Sequence, residues 1–170
     1  MHSHFFKSAA ILCLSVLLFA GHNATAQAKK SKAKQRNQYN NACRKNMDQG
    51  LAGTIYLLEG NFMPSPGGKS GGTTKAVQRT LEIYPLTKQS DGASGTFHPR
   101  PATKPIFRGQ SCEDGSYRIG LKPGRYSVFV VVDKKLFANG NDGDGFIQPV
   151  TITKGNTTLL DLKINNKAVY

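Results

Sequence analysis

The sequence predicts an all-β domain over residues 50–170, a sandwich of about seven strands with Greek-key connections. From residue 50 onward, short runs rich in β-branched and aromatic residues recur between clusters of Gly, Pro, Asn and Asp. No window shows the apolar periodicity and the capping residues of an amphipathic helix. Turn signals at this spacing are typical of a β-sandwich, and a closed barrel is the alternative architecture.

The first two predicted strands run from Gly53 to Glu59 and from Val77 to Leu86. In the second strand, the odd-numbered residues lie on one face of the sheet. The even-numbered residues lie on the other face, and Glu82 and Tyr84 are among them.

The clearest strand signal lies in residues 116–121 and 125–132. The odd-numbered residues of the first segment are apolar, and the second segment is apolar on both faces, which predicts a strand buried on both sides. Lys122-Pro123-Gly124 predicts a turn between them, because Pro presets φ and Gly tolerates positive φ, so the pair is expected to form a central hairpin. Two final strands, 146–153 and 157–164, are joined by a Lys-Gly-Asn turn and are expected to form another hairpin.

Residues 1–26 have the features of a secretory signal peptide. Lys7 supplies the positive start, an apolar run extends from Ala9 to Ala20, and small residues at 24–26 predict a cut before Gln27. A membrane anchor is the alternative, but the apolar run has about twelve residues, whereas a spanning helix needs about 20. We therefore expect an exported protein, periplasmic or extracellular, with no transmembrane segment in the mature chain.

Residues 27–49 are predicted to be a basic, largely disordered linker because they lack apolar periodicity. One of the 23 basic residues, Lys7, is removed with the signal peptide, so the mature chain has 22 basic and 10 acidic side chains. Export argues against nucleic acid as a partner, and anionic polysaccharide or lipid head groups suit an exported basic surface better. A flexible spacer with no partner is the other interpretation. Five basic residues form the tail: Lys29, Lys30, Lys32, Lys34 and Arg36.

Cysteine usage agrees with export. Cys13 lies inside the apolar run, where most of the hydrophobic segment follows it, so a lipid-modified cysteine is disfavoured. Its removal leaves Cys43 and Cys112, an even pair that is expected to form a disulfide in an oxidising compartment. Two free thiols are the alternative.

Residues 112–128 have the sequence CEDGSYRIGLKPGRYSV. This segment resembles the signature of carboxypeptidase regulatory-like domains, a D/E-G-x-Y/F strand followed by L-x-P-G-x-Y and a second strand. Residues 50–55 (GLAGTI) are similar to the opening strand of that family. The resemblance covers residues 50–170 and implies a sandwich of the transthyretin (prealbumin) type. Cys112 departs from the family pattern, so the disulfide would be an addition of this chain.

The resemblance extends to small exported bacterial members of the family. Segments similar to LEGNFMP (58–64), LFAN (136–139) and NNKAVY (165–170) recur in that group. The motif is specific for the fold and does not indicate a ligand.

The resemblance implies a peptidase accessory rather than a peptidase, and the residues also argue against catalysis. Zinc peptidase chemistry needs His and carboxylate ligands with an open coordination position. In the mature chain His98 is the only histidine, and its Pro-rich surroundings predict an exposed loop residue. No G-x-S-x-G elbow accompanies it. We therefore expect no catalytic residue and no cofactor.

One loop is a weak calcium candidate. Its oxygen-bearing side chains are of the kind that calcium prefers, but the D-x-[DN]-x-[DN]-G register fails because Gly143 falls at the fifth position. Asn, Asp and Gly are also the residues that tight turns favour. No metal site is predicted, and the candidate ligands are Asn139, Asn141, Asp142 and Asp144.

Two long segments rich in Gly and Pro, 61–74 and 87–105, are expected to be binding loops or mobile decoration. Phe62 fits no core pattern, and an exposed apolar side chain there would suit a partner. We predict a non-catalytic module that is structural or binds an envelope protein. The alternative is a binding module for anionic glycan or lipid head groups through the basic tail and surface. The predicted interaction loop consists of Asn61, Phe62, Met63 and Pro64.

Overall fold

The computed structural model describes residues 42, 43, 46–64, 67, 71–89 and 95–170, and these residues form strands without any helix. The predicted all-β class is therefore confirmed. The predicted count of about seven strands is not confirmed, because short strands also lie in or beside the segments predicted to be loops. The described residues form eleven strands: β1 (Gly50–Asn61), β2 (Thr73–Ala76), β3 (Thr80–Pro85), β4 (Phe97–His98), β5 (Phe107–Gln110), β6 (Ser116–Gly120), β7 (Gly124–Val132), β8 (Lys135–Phe137), β9 (Pro149–Ile152), β10 (Thr157–Leu159) and β11 (Leu162–Val169).

β1 is the central strand of the first sheet, which has five strands. Its first half lies between antiparallel β6 and parallel β10. Its second half lies between antiparallel β2 and parallel β11, with a register shift between Leu57 and Glu59. At Gly53 the strand passes close to the backbone that links β10 to β11, and a Cβ there would lie 1.9 Å from the Leu160 carbonyl oxygen. Only glycine fits this position.

The second sheet has six strands and is built around β7. β3 pairs with β7 on one side and with β5 on the other. The other edge of β7 pairs with β9 along its first half and with β8 along its second half, and β4 extends the sheet beyond β8. The hairpin between β7 and β8 turns through Asp133 and Lys134, whose φ angles of 49° and 65° are those that a tight two-residue turn needs.

The two sheets pack face to face, and the main core lies between them. The buried faces predicted for residues 116–121 and 125–132 are confirmed. The faces that carry Tyr117 and Val128 lie in this core, and Phe129, on the other face of 125–132, is buried in a separate cluster. The first sheet contributes Leu51, Ile55, Tyr117, Ile119, Leu162 and Ile164, and the second contributes Leu81, Ile83, Phe107, Val128, Val130, Phe137, Val150 and Ile152.

The two hairpins predicted around the Pro-Gly turn and the Lys-Gly-Asn turn are wrong. Both turns reverse the chain, but each carries it from one sheet to the other: β6 and β10 lie in the first sheet, and β7 and β9 lie in the second. The Tyr126 hydroxyl donates to the Lys122 carbonyl oxygen at 2.9 Å, so the Pro-Gly turn is a tyrosine corner. Turn residues specify a reversal, whereas pairing depends on which strand offers a free edge.

The predicted disulfide between Cys43 and Cys112 is confirmed, with Cα atoms 5.3 Å apart. It attaches the segment before β1 to the turn before β6. Beside it, Ala42 is fully buried in the main core, and its carbonyl oxygen accepts the Arg118 N–H at 2.6 Å. The end of the predicted linker is therefore part of the fold.

The predicted signal peptide (residues 1–26), the basic tail (Lys29, Lys30, Lys32, Lys34 and Arg36) and most of the linker lie outside the described residues. Within the described part of the chain, no helix combines the length and the apolar composition that crossing a membrane would need.

Candidate functional site

The outer face of the second sheet carries a separate buried cluster. Because side chains alternate along β3, Leu81 and Ile83 enter the main core, while Glu82 and Tyr84 point to the opposite face. On that face Tyr84 packs with apolar side chains of β7, β8 and the segment that follows β8: Phe129, Leu136, Ala138 and Ile147.

Backbone hydrogen bonds hold two connecting segments around this cluster. In the segment before β5, β4 pairs with β8, and the Thr96 carbonyl oxygen accepts the Ala138 N–H at 2.9 Å. In the segment after β8, the Ile147 N–H donates to the Thr87 carbonyl oxygen at 3.0 Å. Residues 87 and 96–98 of the long segment predicted to be a loop, 87–105, are thus bonded to neighbouring parts of the fold.

A buried carboxylate lies on this face of the sheet. Glu82 is 0 % exposed, and the Tyr84 hydroxyl donates to its Oε2 at 2.6 Å. The Arg100 guanidinium donates to the same oxygen through Nη1. Arg108, directly opposite Glu82 on β5, brings its Nε to 3.3 Å from Oε1. One carboxylate therefore holds two guanidinium groups, one at each oxygen.

These contacts keep Glu82 ionised. Burial alone would raise the pKa of Glu82, but hydrogen bonds from Arg100 and Tyr84, with the charges of Arg100 and Arg108, hold this pKa below its usual range. Burial and the hydrogen bond to Glu82 raise the pKa of Tyr84. The hydrogen bond to Glu82 raises the pKa of Arg100. At neutral pH the cluster thus holds one carboxylate, a neutral phenol and two guanidinium groups.

The exposure of the charged groups is uneven. The Glu82 side chain is fully buried, whereas 44 % of the Arg100 side chain and 53 % of the Arg108 side chain face solvent. Two positive charges against one negative charge leave a net charge of about +1 at this surface. The arrangement can anchor the Arg100 segment to the sheet, and it also presents a fixed cationic surface.

The prediction that His98 is an exposed loop residue is wrong. His98 lies in β4 and is buried, and its ring packs edge-on against Phe129 with centroids 5.8 Å apart. Its Nε2 lies 3.1 Å from the Ala138 carbonyl oxygen. The segment predicted to be a loop therefore includes a short strand with a buried ring.

The predicted interaction loop meets the C-terminus of the chain. Phe62 is half-buried, stacks on Tyr170 with centroids 5.7 Å apart, and donates its N–H to the Val169 carbonyl oxygen at 2.8 Å. Met63, Val169 and Tyr170 are 45 %, 54 % and 63 % exposed. We call Phe62, Met63, Val169 and Tyr170 the terminal apolar patch. Asn61 and Pro64 are exposed beside it.

Three of the four calcium candidates use their side chains in other contacts, and Asp144 contributes its backbone N–H. The Asp142 Oδ1 accepts the N–H groups of Phe146 at 2.8 Å and Asp144 at 3.1 Å, and its Oδ2 lies 3.2 Å from Arg125. Asn139 donates from its side chain to the Lys163 carbonyl oxygen on β11 at 2.9 Å. The Asn141 amide donates to the Gln89 Oε1 at 2.5 Å. These side chains fix the loop and its neighbours. Among the described residues, no three His, Cys, Asp or Glu side chains are grouped as metal ligands.

Sequence reasoning missed Glu82, Arg100 and Arg108. The alternation along β3 separates Glu82 from Leu81 and Ile83 without indicating that its own face is buried, and Arg100 lies in a predicted loop. An acidic residue inside a strand-forming run that contains Thr80, Ile83 and Tyr84 was the available signal. The partners of that residue could not be identified, because they come from segments that meet only in the folded chain.

The fold and these side chains define a disulfide-bonded, two-sheet β domain with a buried carboxylate–arginine cluster on one outer face. No family model matches the chain, and comparisons with curated proteins and with solved structures gave no significant match.

Proposed function

We propose that this chain is an exported, non-catalytic β-sandwich module that acts as a structural or protein-interaction domain at the bacterial cell envelope. The observation that carries the proposal is the terminal apolar patch, where three large apolar side chains are about half exposed at one end of the first sheet. In this proposal the sandwich is a Greek-key domain of the prealbumin type, related to carboxypeptidase regulatory-like domains.

The patch is held in place by the fold. Asn61 at the end of β1 pairs with Val169 at the end of β11, so the two chain segments that carry the patch are joined in a parallel ladder. Gly72 lies against the Phe62 ring, since a Cβ there would be 2.6 Å from it. Binding at this surface would cost little conformational entropy for Phe62 and Tyr170, because their rings are already stacked on each other.

Two further observations support the proposal. The disulfide between Cys43 and Cys112 suits an oxidising compartment, which agrees with export. The buried ring of His98, with its nitrogen at a backbone carbonyl and its edge on Phe129, supports a packing role for the one histidine of the proposed mature chain.

The test is retention of the mature chain, residues 27–170, on isolated envelope fractions. A variant with Met63→Ser and Tyr170→Ser removes the exposed apolar surface of the patch. Leu159→Ser is the matched control, because Leu159 is 79 % exposed and is not part of the patch. We expect the patch variant to lose retention and the control to keep it.

Salt separates this function from the alternative, an anionic glycan or lipid ligand. Retention through the patch should persist at about 1 M NaCl, where the Debye length is about 3 Å. Retention that disappears in salt, or on deletion of residues 29–36, would contradict a patch-mediated contact and favour the anionic ligand.

A further inference from the structure

We propose that Arg100 and Arg108 form a binding site for a small carboxylate ligand, such as the carboxylate of an acidic sugar. This site lies on the second sheet and is separate from the terminal apolar patch, which belongs to the first sheet, and from the basic tail. The inference therefore does not depend on the protein-interaction function proposed above.

Both guanidinium groups contact the same buried carboxylate, one at each oxygen. Arg108 is directly opposite Glu82 in the β3–β5 ladder, and Arg100 reaches the same carboxylate from the segment after β4. Glu82 is itself fixed by the Tyr84 hydroxyl at 2.6 Å and by its place in a strand paired on both sides. The buried carboxylate thus preorganises two cations that would repel each other if it were absent.

Most of the hydrogen-bonding capacity of the pair is unused. A guanidinium group has five N–H donors. Among the described residues, the Arg100 side chain interacts with Glu82, through Nη1, and with the Tyr84 hydroxyl, while the Arg108 side chain makes its ion pair at 3.3 Å and no hydrogen bond. Both side chains are about half exposed, so their remaining donors are accessible to a ligand.

Charge and shape favour a carboxylate. The cluster holds two positive groups and one negative group, so a monoanion neutralises it. The flat guanidinium fork matches the two oxygens of a carboxylate, and Glu82 already shows how this pair takes such an acceptor. One guanidinium group is enough to neutralise one carboxylate, as in the Arg125–Asp142 pair of this protein. The second arginine leaves an uncompensated positive charge.

The test is a titration of the mature, disulfide-bonded chain with sodium glucuronate, sodium acetate, sodium phosphate and glucose, followed by NMR of the backbone and the arginine side chains. Arg108→Lys keeps the charge and removes the fork, and Arg108→Gln removes both. Arg125→Lys is the matched control, because Arg125 is 48 % exposed and also paired with one carboxylate.

We expect saturable shifts of Arg100 and Arg108 with glucuronate. The affinity should fall about tenfold or more in Arg108→Lys, because the bidentate contact is lost, and stay unchanged in Arg125→Lys. Equal binding of acetate would assign the site to simple carboxylates, and preference for glucuronate over acetate would assign it to acidic sugars; both support the proposal. Absence of saturable binding of either carboxylate, tighter binding of phosphate, or unchanged affinity in a folded Arg108→Lys protein would overturn it.

Discussion

Removal of the disulfide between Cys43 and Cys112 is expected to destabilise this domain through the unfolded chain. The two cysteines are 69 residues apart, so the bridge closes a long loop. In the chain-entropy treatment a loop of that length gives about 4.4 kcal/mol of stability at 25 °C. A domain of this size has about 5–15 kcal/mol in total, so the loss is a large share of its stability.

Native contacts near Cys43 do not depend on the disulfide, so its removal should act on the unfolded chain. Ala42 stays buried in the core, and the Arg118 N–H donates to its carbonyl oxygen at 2.6 Å, independently of the sulfur atoms. The folded state of Cys43→Ser/Cys112→Ser should therefore keep the segment in place. The effect then arises from the greater freedom of the unfolded chain.

The assay is equilibrium urea unfolding of four proteins, followed by far-UV circular dichroism: the wild type, Cys43→Ser, Cys112→Ser and the double variant. Each variant removes the same cross-link, so all three should lose about 4.4 kcal/mol, and the two single effects should not add. The slope m should rise in all three, because the unfolded chain without the bridge exposes more surface.

Two results would refute this reasoning. A loss below about 1 kcal/mol with an unchanged m would mean that the bridge does not restrict the unfolded chain as the loop length implies. Additive losses in the two single variants would mean that each sulfur stabilises the folded state through its own packing rather than through the cross-link.

Three further predictions concern the fold and the buried cluster. Gly53→Ala should lower the free energy of unfolding by at least about 2 kcal/mol, because the new Cβ would lie 1.9 Å from the Leu160 carbonyl oxygen. Thermal unfolding measures this loss, and an unchanged stability would contradict the close approach of the two backbone segments. Tyr126→Phe removes the exposed hydrogen bond to the Lys122 carbonyl oxygen and should lower the free energy of unfolding, measured in urea, by about 0.5–1 kcal/mol. A much larger loss would show that the hydroxyl contributes more to stability than this one hydrogen bond. Folding lowers the pKa of Glu82 from 4.5, so its contribution to stability is present above pH 4.5 and is lost as the pH falls through the lowered pKa. The free energy of unfolding of Glu82→Gln, measured at several pH values, should therefore depend less on acid than that of the wild type. An unchanged dependence would show that Glu82 does not contribute to the acid sensitivity.

Much of the local structure could be predicted from the chain alone. The alternation in residues 116–121 and the two-sided apolar pattern in 125–132 identify buried strands, because the side-chain period of a strand is two. The cysteine pair was also predictable, since only two cysteines remain after the proposed signal peptide is removed. These features depend on neighbouring residues or on simple counting.

The candidate site could not be predicted in the same way. Alternation places Glu82 on the face opposite Leu81 and Ile83 but does not indicate whether that face is buried. Glu82 is buried because segments far along the chain fold over it. Its partners come from β5 and from the segment after β4, and His98 is buried for the same reason. Residues 61–64 were identified as a loop, but their contact with Val169 and Tyr170 exists only because β1 and β11 run parallel.

The sequence by itself determined the all-β class, the buried faces of the strongest strands, the chain reversals and the disulfide, because each depends on short-range periodicity, on turn chemistry or on the number of cysteines. Only the tertiary structure decided which strands pair. The two turns that were expected to close hairpins connect strands of different sheets. It also decided where charge is buried. Pairing and burial depend on free strand edges and on covering segments that are distant in sequence, and local patterns carry no information about either.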